Sequence, residues 1–314
     1  MMIRALTVAA AAILLSGGAP AQILETPGIA AKIAAWGPEL TREQVRGTLQ
    51  AYGALHAAAR IEGVKVSADR RYGPHERHVL DVYASEDANG TQPVVVFAHG
   101  GGFVRGDKKG AANIGRYLAV NGVVAIAINY RLAPEHKWPS GGEDFAMALE
   151  WIRGNPGVHG GDPAKIVISG ASAGAMHAAD YTFHESLQAE NDGVVGAILI
   201  SPPTVDLTIR PLDPGRDALY YGTESDLGAR SVVNALGGRK IPVMIAYAEH
   251  EPGFIHEQIR RLIDALARRD GRMPGVISAP GHNHISISAH IGTADRTLGP
   301  DLLEFIRLAA ARAK

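Results

Sequence analysis

Five short stretches, 94–98, 123–128, 166–169, 194–200 and 243–246, are nearly unbroken runs of Val, Ile, Leu and Ala. A strand with one wet face alternates apolar and polar residues, so a run without that alternation is covered on both faces. Helix-forming segments at about 110–120, 142–153, 174–189 and 253–269 separate the runs. Strand alternating with helix gives a parallel sheet joined by right-handed crossovers. Ahead of the first run, 63–67 and 78–83 alternate instead, with Tyr72-Gly73-Pro74 as the turn between them, which predicts an antiparallel opening hairpin. A weak strand at 275–279 and a helix at 300–311, with Pro300 at its start, close the chain. The expected fold class is α/β: a mostly parallel central sheet with an antiparallel opening hairpin, helices on both faces and a small cap.

The 314 residues suffice for one large domain with a buried core. A formal net charge of −1 gives no electrostatic case for nucleic acid or an anionic membrane as partner, and Lys108-Lys109 reads as solvated surface. The absence of cysteine removes disulfides, thiolate catalysis and Cys-based zinc sites. At the N-terminus, Arg4 precedes an apolar run at 5–15, and Ala19-Pro20-Ala21 fits a small-x-small cleavage pattern. Residues 1–21 therefore read as a Sec-type signal peptide cut after Ala21, and the mature chain as secreted or periplasmic. The apolar run is too short to span ~30 Å of hydrocarbon, and nothing later resembles a membrane span. Residues 22–60 are expected to form a helical cap segment, with helices at 29–36 and 41–60 and a capping box from Thr41 and Gln44. Residues 61–314 form the main domain, and the Pro-, Gly- and Asp-rich insertion at 204–240 contributes to the cap.

Gly170-Ala171-Ser172-Ala173-Gly174 matches G-x-S-x-G and lies between an apolar strand and a helical segment. That context is what the motif needs. A sharp strand-to-helix turn strains the serine backbone and pushes its Oγ outward, and only small residues two before and two after leave room. Ser172 is the candidate nucleophile. Directly after the 94–98 run comes His99-Gly100-Gly101-Gly102-Phe103. Three glycines let backbone N–H groups turn inward, as a tetrahedral oxyanion requires. The Ala173 N–H would complete that hole. A phosphate loop is the competing reading, but the spacing misses the dinucleotide fingerprint and no Walker lysine follows.

A serine hydroxyl needs a base, and histidine suits neutral pH. Two late segments qualify: Gly281-His282-Asn283-His284-Ile285-Ser286, and Glu249-His250-Glu251-Pro252. Both fall at carboxyl ends of strands, where open α/β sheets place their sites. His177 reads as a structural histidine. His282, His284, Glu249, His250 and Glu251 could in principle ligate zinc, but no H-E-x-x-H is present and a metal would leave the serine turn and glycine loop without a role. No metal and no cofactor are expected.

His99–Phe103, Tyr130-Arg131-Leu132-Ala133-Pro134-Glu135, Gly161-Asp162-Pro163 and Gly170–Gly174 together resemble the hormone-sensitive-lipase-like carboxylesterases of the α/β-hydrolase fold, over roughly residues 75–310. The resemblance implies a carboxylic ester hydrolase acting on a small-molecule ester through an acyl-enzyme. It implies Ser172 as nucleophile and Gly101, Gly102 and Ala173 as oxyanion donors. It puts Glu251 at the acid position, usually Asp, with Glu249 as the alternative. It favours His284 over His282, because the family histidine follows a polar and precedes an apolar residue. Ala175, where the lipase-like group often carries glycine, moves the chain toward arylformamidase and feruloyl-esterase neighbours, and amide or lactone substrates share the same chemistry. An inactive binding module is the reading of another class, since fold alone never guarantees function. Phe103 and Trp138 are candidates for the walls of the substrate pocket.

Overall fold

The structure is a computed structural model that describes residues 27–313, apart from 60, 224, 225 and 238. The leader expected at residues 1–21 lies outside the described residues. The strands are β1 (Val64–Arg71), β2 (Val79–Ser85), β3 (Gln92–Ala98), β4 (Val124–Ile128), β5 (Gly161–Ala171), β6 (Val194–Ile200), β7 (Val243–His250) and β8 (Gly275–Asn283). The helices are α1 (Pro27–Trp36), α2 (Arg42–Ala58), α3 (Ala112–Val120), α4 (Ser140–Gly154), α5 (Pro156–His159) and α6 (Ala173–Phe183). They continue with α7 (Asp217–Tyr221), α8 (Leu227–Arg230), α9 (Gly253–Asp270), α10 (Ser286–Ala289) and α11 (Gly299–Ala310).

The eight strands form one sheet in the order β1-β2-β4-β3-β5-β6-β7-β8. Only β2 runs against the others, pairing antiparallel with β1 and with β4; every pair from β4 onward is parallel. The apolar runs divide their side chains between two cores. Val94, Val96, Ile166 and Ile168 meet α4, α6 and α9 on one face. Val95, Phe97 and Val167 meet α3 and α11 on the other. Alternate residues of one strand thus enter separate cores, which is why no polar position interrupts the runs.

Three expectations need revision. β8 extends to Asn283, because His250 and Asn283 pair across a register shift; the polar end of this strand hides its continuation. The helix expected at 174–189 stops at Phe183, where the side-chain amide of Gln188 donates to Thr182 O at 2.8 Å and satisfies an end carbonyl. Lys108 is not solvated surface. It is 2% exposed, and its Nζ reaches Asp69 and Asp81 at 2.7 and 2.6 Å. Within the 204–240 segment, Val205, Leu207, Tyr220, Tyr221 and Val232 are buried in the core. The capping box at Thr41 and Gln44 is present.

Candidate active site

Ser172 sits between β5 and α6 with φ 54° and ψ −120°, a conformation that L-residues rarely adopt. The neighbouring glycines show why the turn must be this tight. A Cβ on Gly170 would lie 2.3 Å from Gly174 backbone, and one on Gly174 would lie 2.1 Å from Ala98 O. The helix therefore starts hard against β3, and Ser172 N–H is held by Ile200 O at 2.8 Å.

His284 stands opposite. Its Nε2 is 2.9 Å from Ser172 Oγ, and its Nδ1 is 2.7 Å from Glu251 Oε2. Glu251 is 1% exposed. Burial alone would raise its pKa, but His284, the Ser201 hydroxyl and the Ala248 N–H more than offset this and hold the carboxyl below the usual range. An ionised carboxylate only accepts hydrogen bonds. Nδ1 must then carry the proton, which leaves the Nε2 lone pair facing the serine. A hydroxyl, an imidazole and a carboxylate in this series are able to move a proton from Oγ and to stabilise the imidazolium that forms.

The imidazole is carried by a folded turn. Asn283 Oδ1 accepts from Ile285 N and Ser286 N at 3.1 and 2.9 Å. Ser286 Oγ accepts from Asn283 N at 2.8 Å. Behind it, His282 is fully buried, stacked on His290 at 4.1 Å, with Nε2 3.2 Å from Asp295. His282 thus faces away from Ser172. Glu249 accepts from Gly281 N at 2.8 Å, so it holds the loop and not the imidazole. Helix α2 docks on the same segment: Asn283 Nδ2 donates to Thr48 Oγ1 at 3.2 Å, and His56 Nε2 donates to Ala289 O at 2.7 Å.

The glycine loop faces the serine from the end of β3. Gly101, Gly102 and Gly106 have φ of 144°, 62° and 117°. A Cβ on Gly101 would fall 1.9 Å from Arg105 O. Among the described residues, the N–H groups of Gly101, Gly102 and Ala173 donate to no protein acceptor. Tyr130 gives its motif a role here: its hydroxyl donates to His99 O at 2.8 Å and its ring stacks on His99 at 4.4 Å. Arg77 donates to Gly106 O at 3.0 Å from the far end of the loop.

A cavity of about 540 Å³ opens over this arrangement, lined by Ser172, His284 and the glycine loop and walled by α2. Two expected wall residues are absent from it. Phe103 is 1% exposed, with its ring stacked on Tyr220 at 4.7 Å. It follows the turn of the loop with φ 69°, which sends it into the core. Trp138 packs against His184 instead. His177 is also fully buried, 3.2 Å from the Tyr220 hydroxyl. Ser201 went unrecognised in the sequence. It donates to Glu251 Oε1 from just beyond β6 with φ 51°; its place at a strand's carboxyl end was the available signal.

Burial pushes the imidazoles of His99 and His290 down to about 4 and that of His177 down to about 3. In the unfolded chain each titrates near ~6.5. Below that pH the unfolded chain gains protons the folded one refuses, so stability falls as pH drops from ~6.5 to ~4, by at most roughly 3 kcal/mol per histidine. The melting temperature is expected to decline by ~10 °C or more between these pH values. A flat profile in a thermal scan across that window would contradict neutral buried imidazoles.

A family model described as the alpha/beta hydrolase fold matches residues 95–255. The chain belongs to that family. A probable isoprenylcysteine alpha-carbonyl methylesterase of Oryza sativa subsp. japonica is 35% identical over 122 residues, 39% of this chain and 29% of its own. A probable carboxylic ester hydrolase, LipM, of Mycobacterium tuberculosis is 35% identical over 132 residues, 41% of this chain and 31% of its own. The matched segment thus spans under a third of these relatives. Among solved structures, a hyperthermophilic esterase from the archaeon Pyrobaculum calidifontis superposes with TM-score 0.68 at 25% identity, covering 90% of this chain and 96% of that one. Esterase B from Lactobacillus rhamnosis superposes with TM-score 0.71 at 20% identity, covering 90% and 97%.

Proposed function

We propose that the protein is a carboxylic ester hydrolase working through an acyl-enzyme. The observation that carries this reading is the series Ser172 Oγ, His284 and Glu251, joined at 2.9 and 2.7 Å at the floor of a cavity. His284 takes the Ser172 proton as Oγ attacks the ester carbonyl. The oxygen that becomes negative is met by Gly101, Gly102 and Ala173 N–H groups, each such donor being worth ~3–4 kcal/mol in the transition state. The alcohol leaves with the proton from His284, and water repeats the sequence to release the acid. The names of the relatives support ester chemistry. Helix α2 closes one side of the cavity and serves as the cap.

The test is a panel of p-nitrophenyl esters with acyl chains of about two to eight carbons, a length a cavity of this size admits. Turnover is expected across the shorter members, with no need for an added metal. Absence of turnover on every ester, with hydrolysis of anilide or lactone analogues, would move the assignment to amide or lactone cleavage on the same residues.

A further inference from the structure

The cavity has two unlike walls. Helix α2 and the turn after His284 contribute Val45, Leu49, Gly53, Ile285 and Ala289, a mainly apolar surface that Tyr52, His56 and Ser288 interrupt. The opposite wall comes from the glycine loop and the turn after it, and it carries Arg105 and Lys109; Arg216 reaches in from the 204–240 segment. Three cations therefore face a mainly apolar wall beside the nucleophile.

Two of the three, Arg105 and Lys109, differ from the basic side chains that carboxylates hold in place. Lys108, Arg131, Arg239 and Arg269 each meet a carboxylate at 2.6 to 2.8 Å. Arg105 and Lys109 are exposed, and among the described residues neither has a carboxylate within ion-pair distance. Arg216 is paired with Asp213 at 2.7 Å, yet its stem lies over the oxyanion loop, with Cδ 2.8 Å from where a Cβ on Gly102 would be. The acid lining this cavity is Asp107, and its oxygens are already engaged by Lys109 N–H and the Asn129 amide, both at 2.9 Å. His99, beside it, is kept neutral by burial. Asp107 stays ionised and Asp213 offsets Arg216, so Arg105 and Lys109 leave this wall with a modest excess of positive charge, which favours an anion entering the cleft.

We propose that the preferred substrate is an ester bearing a negative charge several atoms from the scissile carbonyl, its apolar part lying on α2 and its anion held by Arg105 and Lys109. This rests on the ester-hydrolase reading above. The cations would act on binding and encounter, with no part in the bond-making steps. Because both are exposed, the preference is screened by salt.

The test compares two p-nitrophenyl esters of equal chain length, the hexanoate and the adipate half-ester, whose far end is a carboxylate. The quantity read is the ratio of kcat/KM for the charged over the neutral ester, corrected for spontaneous hydrolysis. In the native chain at low ionic strength this ratio is expected to be at least ~10-fold higher than in the R105Q/K109Q variant, and the difference should shrink in roughly 0.5 M NaCl. A ratio that neither the double substitution nor salt changes would overturn the proposal while leaving ester hydrolysis intact. Turnover of neither ester by the native chain would instead remove the reading on which it rests.

Discussion

Ser172→Ala is expected to lower kcat on a short acyl ester by about 10⁶-fold, the scale seen when a nucleophile is removed from a comparable triad. The loss is this large because, among the described residues, the Ser172 hydroxyl is the side-chain oxygen within hydrogen-bond distance of His284 Nε2, at 2.9 Å, with none beside it to replace Oγ. What survives should be the contribution of the oxyanion donors and of binding, ~10³ to 10⁴ over water. The fold should persist, since the strained φ of 54° is imposed by Gly170 and Gly174 and not by the hydroxyl. Two measurements check this. Turnover reports the rate, and intact mass after exposure to a fluorophosphonate reports the nucleophile: the native chain gains one adduct and the variant none. A variant that hydrolysed the ester at the native rate would end the proposed mechanism.

Glu251→Gln should cost about 10⁴-fold in kcat, for a reason specific to this carboxylate. Oε1 is held by two donors, the Ser201 hydroxyl and the Ala248 N–H. In the glutamine variant the amide oxygen satisfies those donors, so the NH₂ faces His284 Nδ1. Nδ1 must then accept, the proton moves to Nε2, and the imidazole meets Ser172 with a donor where an acceptor is required. Glu249→Gln should change kcat by no more than a few-fold, because the hydrogen bond that Glu249 makes among the described residues is to the Gly281 N–H of the loop and not to His284. Kinetics of the two variants side by side distinguish the candidate acids, and equal losses would count against the assignment to Glu251.

The parallel sheet was readable because both of its faces are covered, which leaves an unbroken apolar signature in each inner strand. Ser172 and the glycine loop were readable because their geometry admits so few residues: a Cβ at Gly101, Gly170 or Gly174 would collide with backbone. Long-range pairings were harder. Phe103 looked like a pocket wall from its place in the motif, but the left-handed backbone there turns its ring inward onto Tyr220. Lys108 looked solvated because its partners, Asp69 and Asp81, lie 39 and 27 residues away in the chain. Ser201 and the buried His282–Asp295 contact escaped for the same reason: a single polar residue announces its partner only when the fold brings the two together.

Helix α2 lines the cavity with Leu49 and Gly53, while its Thr48 and His56 grip the turn that carries His284. A chain lying along that helix pushes on the same rigid body that aims the base. Differences between acyl groups should therefore register in turnover as well as in affinity. Evolution of a new preference on this scaffold would run through the outer turn of one early helix, with the three reacting side chains left untouched.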